Sequence, residues 1–262
     1  MSVGAVFDAS AAGFAVWTPL LWDPVGAATV EVVGPRPGER VLDACCGAGA
    51  AALPAARAVG PGGHVDAVDL AGALVDAGRD RAPGVAFHTA DVTTWTAPAY
   101  DVVTCVFGVF FLPDMDAGTA HLLGLLRPGG RIAVTTWAAG SVEPLVGPFA
   151  QAAIAEHAAA GNPPPAPLWQ RDAAARVDSA DKLSAWLAEV GAGDIAVRTF
   201  AHDVAVTPAL GWELCVGSGA RALIDGLDRA AVARVHERYL TDLAVDTFAI
   251  RALIGTGVRC TP

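Results

Sequence analysis

The first half of the chain alternates short apolar, β-branched runs with alanine-rich stretches of helical spacing. Strands are predicted over 40–43, 64–69, 85–88, 101–107 and 131–136, with helices over 50–59, 71–78 and 115–126 between them. Glycine and proline fall where such units turn: Gly60-Pro61-Gly62-Gly63 precedes the second strand and Arg127-Pro128-Gly129-Gly130 the fifth. Apolar strands joined through helices make a parallel sheet buried on both faces. Past Trp137 the alternation breaks into a stretch with Pro144, Pro148 and Pro163-Pro164-Pro165, in which 149–160 reads as a helix. It resumes with a helix over 180–190 stopped by Gly191, then a strand over 194–206 bent near His202. Helices over 208–227 and 229–243 and a last strand over 247–254 follow.

Charge narrows the partners. Seventeen basic against 27 acidic residues leave a net charge of −10, which repels nucleic-acid phosphates and anionic lipid and leaves small molecules. The uncharged runs at 44–56 and 102–113 are too short to span a bilayer, and the first residues lack a secretory signal's basic start and cleavage site. A cytoplasmic protein is expected. Five irregularly spaced cysteines predict reduced thiols and no metal site. Lys182 is the single lysine, which leaves Schiff-base chemistry and phosphate-cradling Gly-Lys-Ser loops almost without a candidate residue.

The segment Val41-Leu42-Asp43-Ala44-Cys45-Cys46-Gly47-Ala48-Gly49 is a strand whose end turns through small residues into a helix. Glycines there let backbone approach a ligand closely, and the following helix start offers N–H groups to an anionic group. Two cofactor classes fit. Gly47 to Ala52 matches the looser dinucleotide fingerprint, with Asp69 twenty residues past Gly49 for ribose hydroxyls. Asp43, four residues before the first glycine, instead suits a cationic ligand amine.

With these motifs the chain resembles the class I S-adenosylmethionine-dependent methyltransferases, closest to the ubiquinone/menaquinone C-methyltransferase-like small-molecule group, over about residues 37–137. The resemblance implies an α/β, Rossmann-like fold: a seven-stranded, mostly parallel sheet with helices on both faces and an antiparallel last strand. It also implies S-adenosylmethionine as cofactor. Asp43, Ala44, Cys46, Gly47 and Gly49 then fall in the loop around its methionine end, Asp69 and Leu70 at ribose and adenine, Asp91 and Val92 at adenine, and Cys105 and Val106 beside the methionine. The expected organisation is a single domain over 1–262. It divides into an N-terminal helical cap at 1–36, a cofactor-binding half at 37–137, an insertion or lid at 138–178 and a C-terminal half at 179–262.

Methyl transfer from a sulfonium is an in-line displacement, so a protein mainly aligns donor and acceptor and excludes water. Phe7, Trp17, Trp22, Phe107, Phe110 and Phe111 are the candidates for lining an acceptor pocket, and Phe110-Phe111 points to a greasy acceptor. His157 and His236 are the candidate bases. The leading expectation is methylation of a small, partly hydrophobic metabolite by a monomer or homodimer. Two alternatives stand beside it: a cyclase that binds the same cofactor without methylating, and a nicotinamide oxidoreductase, which lacks a Tyr-x-x-x-Lys pair here.

Overall fold

The computed structural model describes residues 2–163 and 171–260, with the side chains of 171 and 172 left aside. Seven strands form one sheet: β1 Arg40–Ala44, β2 His64–Asp69, β3 Ala86–Thr89, β4 Tyr100–Val106, β5 Leu126–Trp137, β6 Ala192–Ala205 and β7 Thr247–Arg259. Their order is β3-β2-β1-β4-β5-β7-β6. β1 to β5 pair in parallel, and β7 runs antiparallel to both β5 and β6. The chain therefore winds outward from β1 in both directions, which opens a crevice between the carboxyl ends of β1 and β4.

Helices α3 Ala52–Val59, α4 Gly72–Arg81, α5 Met115–Leu125 and α8 Ala180–Glu189 flank the sheet. Strands β1 and β4 bury Val41, Leu42, Val102 and Val103 completely, so the sheet's centre is the core. α6 Glu143–Ala159, α9 Pro208–Val216 and α10 Arg229–Asp242 build a separate helical layer around Phe149, Cys215, Val235 and Tyr239. The short α7 Arg171–Ala175 lies beyond the undescribed 164–170, which hold most of the proline run.

The N-terminal cap is α1 Val3–Trp17 and α2 Asp23–Val33, joined by a π-helical turn at Thr18–Trp22. Pro19 and Pro24 each lack the N–H that an uninterrupted α-helix needs, and the wider turn absorbs both, closing with Asp23 N–H on the Thr18 carbonyl. By length and composition, Val3–Val33 is the one described helix long and apolar enough to cross a membrane, a stretch the two shorter runs had not drawn attention to. In the fold its Trp17, Leu21 and Val25 are fully buried, and Thr29 hydrogen-bonds Thr135 of β5 at 2.7 Å.

Three sequence expectations need correction. β6 pairs regularly through His202, opposite Ile250, and its irregularity lies between Gly193 and Ala196, where Asp194 has φ +48°. The helix expected over 208–227 ends at Val216, because Gly217 packs directly on Gly13 of α1, and a 3-10 turn at Gly219–Ile224 follows. α6 begins at Glu143, six residues before the predicted start, with Pro144 in its first turn and Pro148 inside it.

Candidate active site

The loop after β1 is shaped by backbone that only small residues tolerate. Cys45, Gly47 and Gly49 have φ of 55°, 51° and 82°. A Cβ at Gly49 would come within 2.8 Å of the Phe87 ring, and one at Gly47 within 3.1 Å of Phe14. The loop is held from several sides. Cys46 N–H donates to the Val68 carbonyl at 3.1 Å, and Gly47 N–H to Asp69 Oδ2 at 2.8 Å. Arg81 donates to the Ala48 carbonyl at 2.8 Å while pairing with Asp23 of α2 at 2.6 Å. Phe107, at the end of β4, is also left-handed at φ +54°, so the two strands flanking the crevice both end in strained non-glycine residues.

Three acids at the carboxyl ends of β1, β2 and β3 are in different states. Asp43 is 1% exposed; its Oδ1 accepts from Thr104 at 2.9 Å, and its Oδ2 has no partner. Burial pushes its pKa up to about 7 against the lowering effects of the Thr104 hydroxyl and the Ala52 backbone N–H. Asp69 is also raised by burial, although both its oxygens accept backbone N–H groups, from Gly47 and from Ala71 at 2.9 Å. Asp91 is exposed and caps a turn through Thr93, by 2.8 Å to the backbone N–H and 2.7 Å to the hydroxyl.

A cavity of about 820 Å³ opens over the carboxyl ends of all five parallel strands. That is toward the upper end of the roughly 300–1,000 Å³ usual for small-molecule sites. It brings together Asp43, Cys46, Gly47, Asp69, Leu70, Asp91, Val92 and Val106 on one side. Phe7, Trp22, Phe107, Phe110 and Phe111 line it as well. Ala44, Gly49 and Cys105 shape its floor from behind without lining it, Ala44 and Cys105 being fully buried.

Three candidates stand elsewhere. Trp17 is fully buried with its indole N–H on the Leu210 carbonyl at 2.9 Å, so it anchors the cap to α9 and does not line the cavity. His157 is 3% exposed and holds the Leu223 carbonyl at 3.1 Å through Nε2. His236 packs on the Trp212 ring at 4.4 Å between centroids. Neither histidine lines the cavity, because both belong to the α6/α9/α10 layer behind it.

Sequence reasoning missed Phe14 and Trp137. Phe14 stacks on Trp22 at 4.9 Å, and Trp137, the last residue of β5, stacks on Phe107 at 4.1 Å. Trp137 was findable, since the ends of β1 to β4 had each supplied a candidate and β5 ends there. Phe14 was findable too, seven residues past Phe7 on one helix face.

Residues 41–130 match the family described as "Methyltransferase domain". The chain is 33% identical to nocamycin O-methyltransferase of Saccharothrix syringae over 177 residues, 62% of this chain and 60% of that relative's length. It is 29% identical to a demethylmenaquinone methyltransferase of Renibacterium salmoninarum over 181 residues, 64% of this chain and 73% of that one. The YcgJ protein of Bacillus subtilis shares the fold, with a TM-score of 0.57 at 14% identity over 90% of this chain and 98% of its own. Residues 41–130 thus carry a methyltransferase domain, and the chain is similar to S-adenosylmethionine-dependent methyltransferases of the group that includes the ubiquinone/menaquinone enzymes.

Proposed function

We propose that this chain transfers a methyl group from S-adenosylmethionine to a small, partly apolar acceptor in specialised metabolism. The observation that carries the reading is Asp43 Oδ2: a buried carboxylate oxygen without a partner in hydrogen-bond range, beside a tight glycine loop whose neighbours leave no room for side chains. A buried acid with a free oxygen calls for a cationic partner, and an α-ammonium supplies one. Bound there, S-adenosylmethionine supplies an activated methyl on a sulfonium. Both relatives carry methyltransferase names, one with nocamycin and the other with demethylmenaquinone, which supports a small-molecule acceptor.

In this reading Asp43 takes the ammonium, and the Cys46–Gly49 loop wraps the methionine end of the cofactor, with Ala44 behind it. Asp69 has lone pairs left for ribose hydroxyls beyond its two backbone donors. Leu70, 48% exposed, and buried Val92 flank the adenine, with Asp91 at its edge. Val106, backed by Cys105, borders the methionine. Phe7, Trp22, Phe107, Phe110 and Phe111 seat the acceptor and keep water from the reacting atoms. The residues position and desolvate. No described lining residue is a histidine, lysine or tyrosine, so proton removal falls to a carboxylate or to the acceptor's own acidity.

Calorimetry with S-adenosylmethionine and S-adenosylhomocysteine tests the cofactor, with Asp43→Ala, Asp69→Ala and Asp91→Ala each expected to weaken binding about tenfold or more. Absence of binding by the unaltered chain, or unchanged affinity in all three variants, overturns the reading. Methyl-labelled cofactor incubated with small-molecule extracts tests transfer: labelled product is expected, and rearranged, unlabelled product points to a cyclase.

A further inference from the structure

Two thiols that the proposed reaction leaves unused, Cys45 and Cys105, sit at the carboxyl ends of β1 and β4. Ala44 lies opposite Cys105 in the parallel register, which puts Cys45 one residue beyond that pair. Neighbouring strands stand about 4.8 Å apart, so the two cysteine Cα atoms fall within the roughly 4.4–6.8 Å that a disulfide spans. Distance alone would not join them, because an extended Cys45 would point to the face opposite Ala44. Its left-handed backbone, φ +55°, turns the side chain back: Ala44 and Cys105 share one buried cluster, and Cys45 packs against it. Cys46 belongs to the cluster on the other face, with its Sγ on the Gly47 carbonyl at 3.5 Å.

The two sulfurs meet at Gly108. A Cβ there would lie 2.7 Å from Cys105 Sγ and 2.9 Å from Cys45 Sγ, so the missing side chain is the room both thiols occupy. They share a hydrogen bond, which together with burial holds the Cys45 thiol well above its ordinary pKa. Their access differs. Cys45 is partly exposed and lines the cavity, while Cys105 is fully buried and does not.

We propose that Cys45 and Cys105 are a redox modification site: hydrogen peroxide entering the empty cavity converts them to a reversible disulfide, which weakens cofactor binding. The Cys45 thiolate attacks one peroxide oxygen and the O–O bond breaks. Cys45 becomes a sulfenic acid, and the other oxygen leaves as hydroxide and takes up the proton that Cys45 gave off. The Cys105 sulfur, closed to oxidants itself, then displaces the sulfenic oxygen to form the S–S bond, and that oxygen leaves as water with the Cys105 proton. The thiol pair loses two electrons and one peroxide is reduced to two waters.

Hydrogen-bonded thiols stand farther apart than the roughly 2.05 Å of a disulfide, so closure draws Cys45 toward β4. The N–H groups of Cys46 and Gly47, tied to Val68 and Asp69, resist that shift, and the loop deforms between the two pulls. Only this effect on binding rests on the S-adenosylmethionine reading; the bridge itself does not.

The test treats the full chain with hydrogen peroxide, with and without saturating S-adenosylhomocysteine, blocks the remaining thiols and reads the peptides by mass spectrometry. A Cys45–Cys105 cross-linked peptide is expected, and dithiothreitol should remove it. It should form at least about tenfold faster at pH 9 than at pH 7, as the raised thiol ionises, and about fivefold more slowly with the cavity filled. Calorimetry on the oxidised chain should show S-adenosylhomocysteine bound about tenfold more weakly, with the affinity restored by dithiothreitol. Cys260→Ser, which removes the exposed thiol, should leave the cross-link in place. Cys105→Ala, which removes the second thiol, should let dimedone trap a sulfenic acid on Cys45. A bridge to Cys46 or Cys260 instead, no bridge at all, or a bridge with cofactor affinity unchanged overturns the inference. If the bridge forms while the reduced chain fails to bind S-adenosylhomocysteine, the modification site stands and the methyl-donor reading falls.

Discussion

At the scale of single residues, Asp43 sets affinity against stability. Its folded pKa of about 7 lies above the ordinary 3.8, so the folded state holds the proton more tightly than the unfolded chain does. That contribution to stability is present in acid and is lost as pH rises from about 3.8 through about 7. Thermal unfolding of the unliganded chain between pH 5 and pH 8 should register the loss. Asp43→Asn, which cannot ionise, is expected to be more stable than the unaltered chain at pH 8 by roughly 1–3 kcal/mol. In the proposed binding mode the cofactor responds in the opposite sense, because its ammonium needs the carboxylate. Binding should be about tenfold weaker at pH 6 than at pH 8 in the unaltered chain and nearly flat over that range in Asp43→Asn. A flat profile in both would show that Asp43 does not meet a cation.

At the scale of elements, the cap and the C-terminal layer close on each other at a glycine pair. A Cβ on Gly217 would lie 2.3 Å from the Gly13 carbonyl carbon, and one on Gly13 would lie 2.6 Å from the Glu213 carbonyl oxygen. Gly217→Ala should destabilise the chain by about 1–3 kcal/mol in denaturant titrations and weaken cofactor binding, since α1 carries Phe14 over Gly47. Little of this junction was legible in advance. Residues 9–22 carry no charge, so the cap's sequence shows no polar face to say which side is turned inward. The π-helical turn then shifts the helical phase of its own residues, sending Trp17 to α9 and Trp22 to the cavity although both belong to the same apolar run. By contrast, Asp43, Gly47, Asp69 and Asp91 were legible because each sits at a strand end fixed by local pattern. His157, Trp137 and the helical layer were misread or missed because their surroundings come from residues far along the chain, such as Leu223 for His157.

At the scale of the whole molecule, the cavity is a joint product of parts that do not touch in sequence: strand ends from 43 to 137, the cap, and Leu214 to Leu223. Ligand binding therefore couples to global unfolding. S-adenosylhomocysteine at about a hundred times its Kd should raise the Tm by roughly 5–10 °C, and the same concentration should raise that of Asp43→Ala by about half as much or less; an equal shift in both would show that the effect does not come from this site. The succession of strands and helices along the chain was legible from the alternation as far as β5, and the reversed last strand followed from the resemblance, while the order of strands within the sheet came only with the fold. The register shift at Gly193/Ala196 was not, because it depends on pairing with residues sixty positions downstream.

The place of β7 between β5 and β6 has a consequence for biosynthesis. β6 leaves the ribosome before the strand it pairs with, and β5 keeps an open edge until Thr247–Arg259 has been made. For that interval the nascent chain carries two unsatisfied strand edges and a cavity wall missing its supports. A chaperone that recognises extended backbone would have its longest opportunity then, and premature termination after α10 should yield a product that aggregates through those edges.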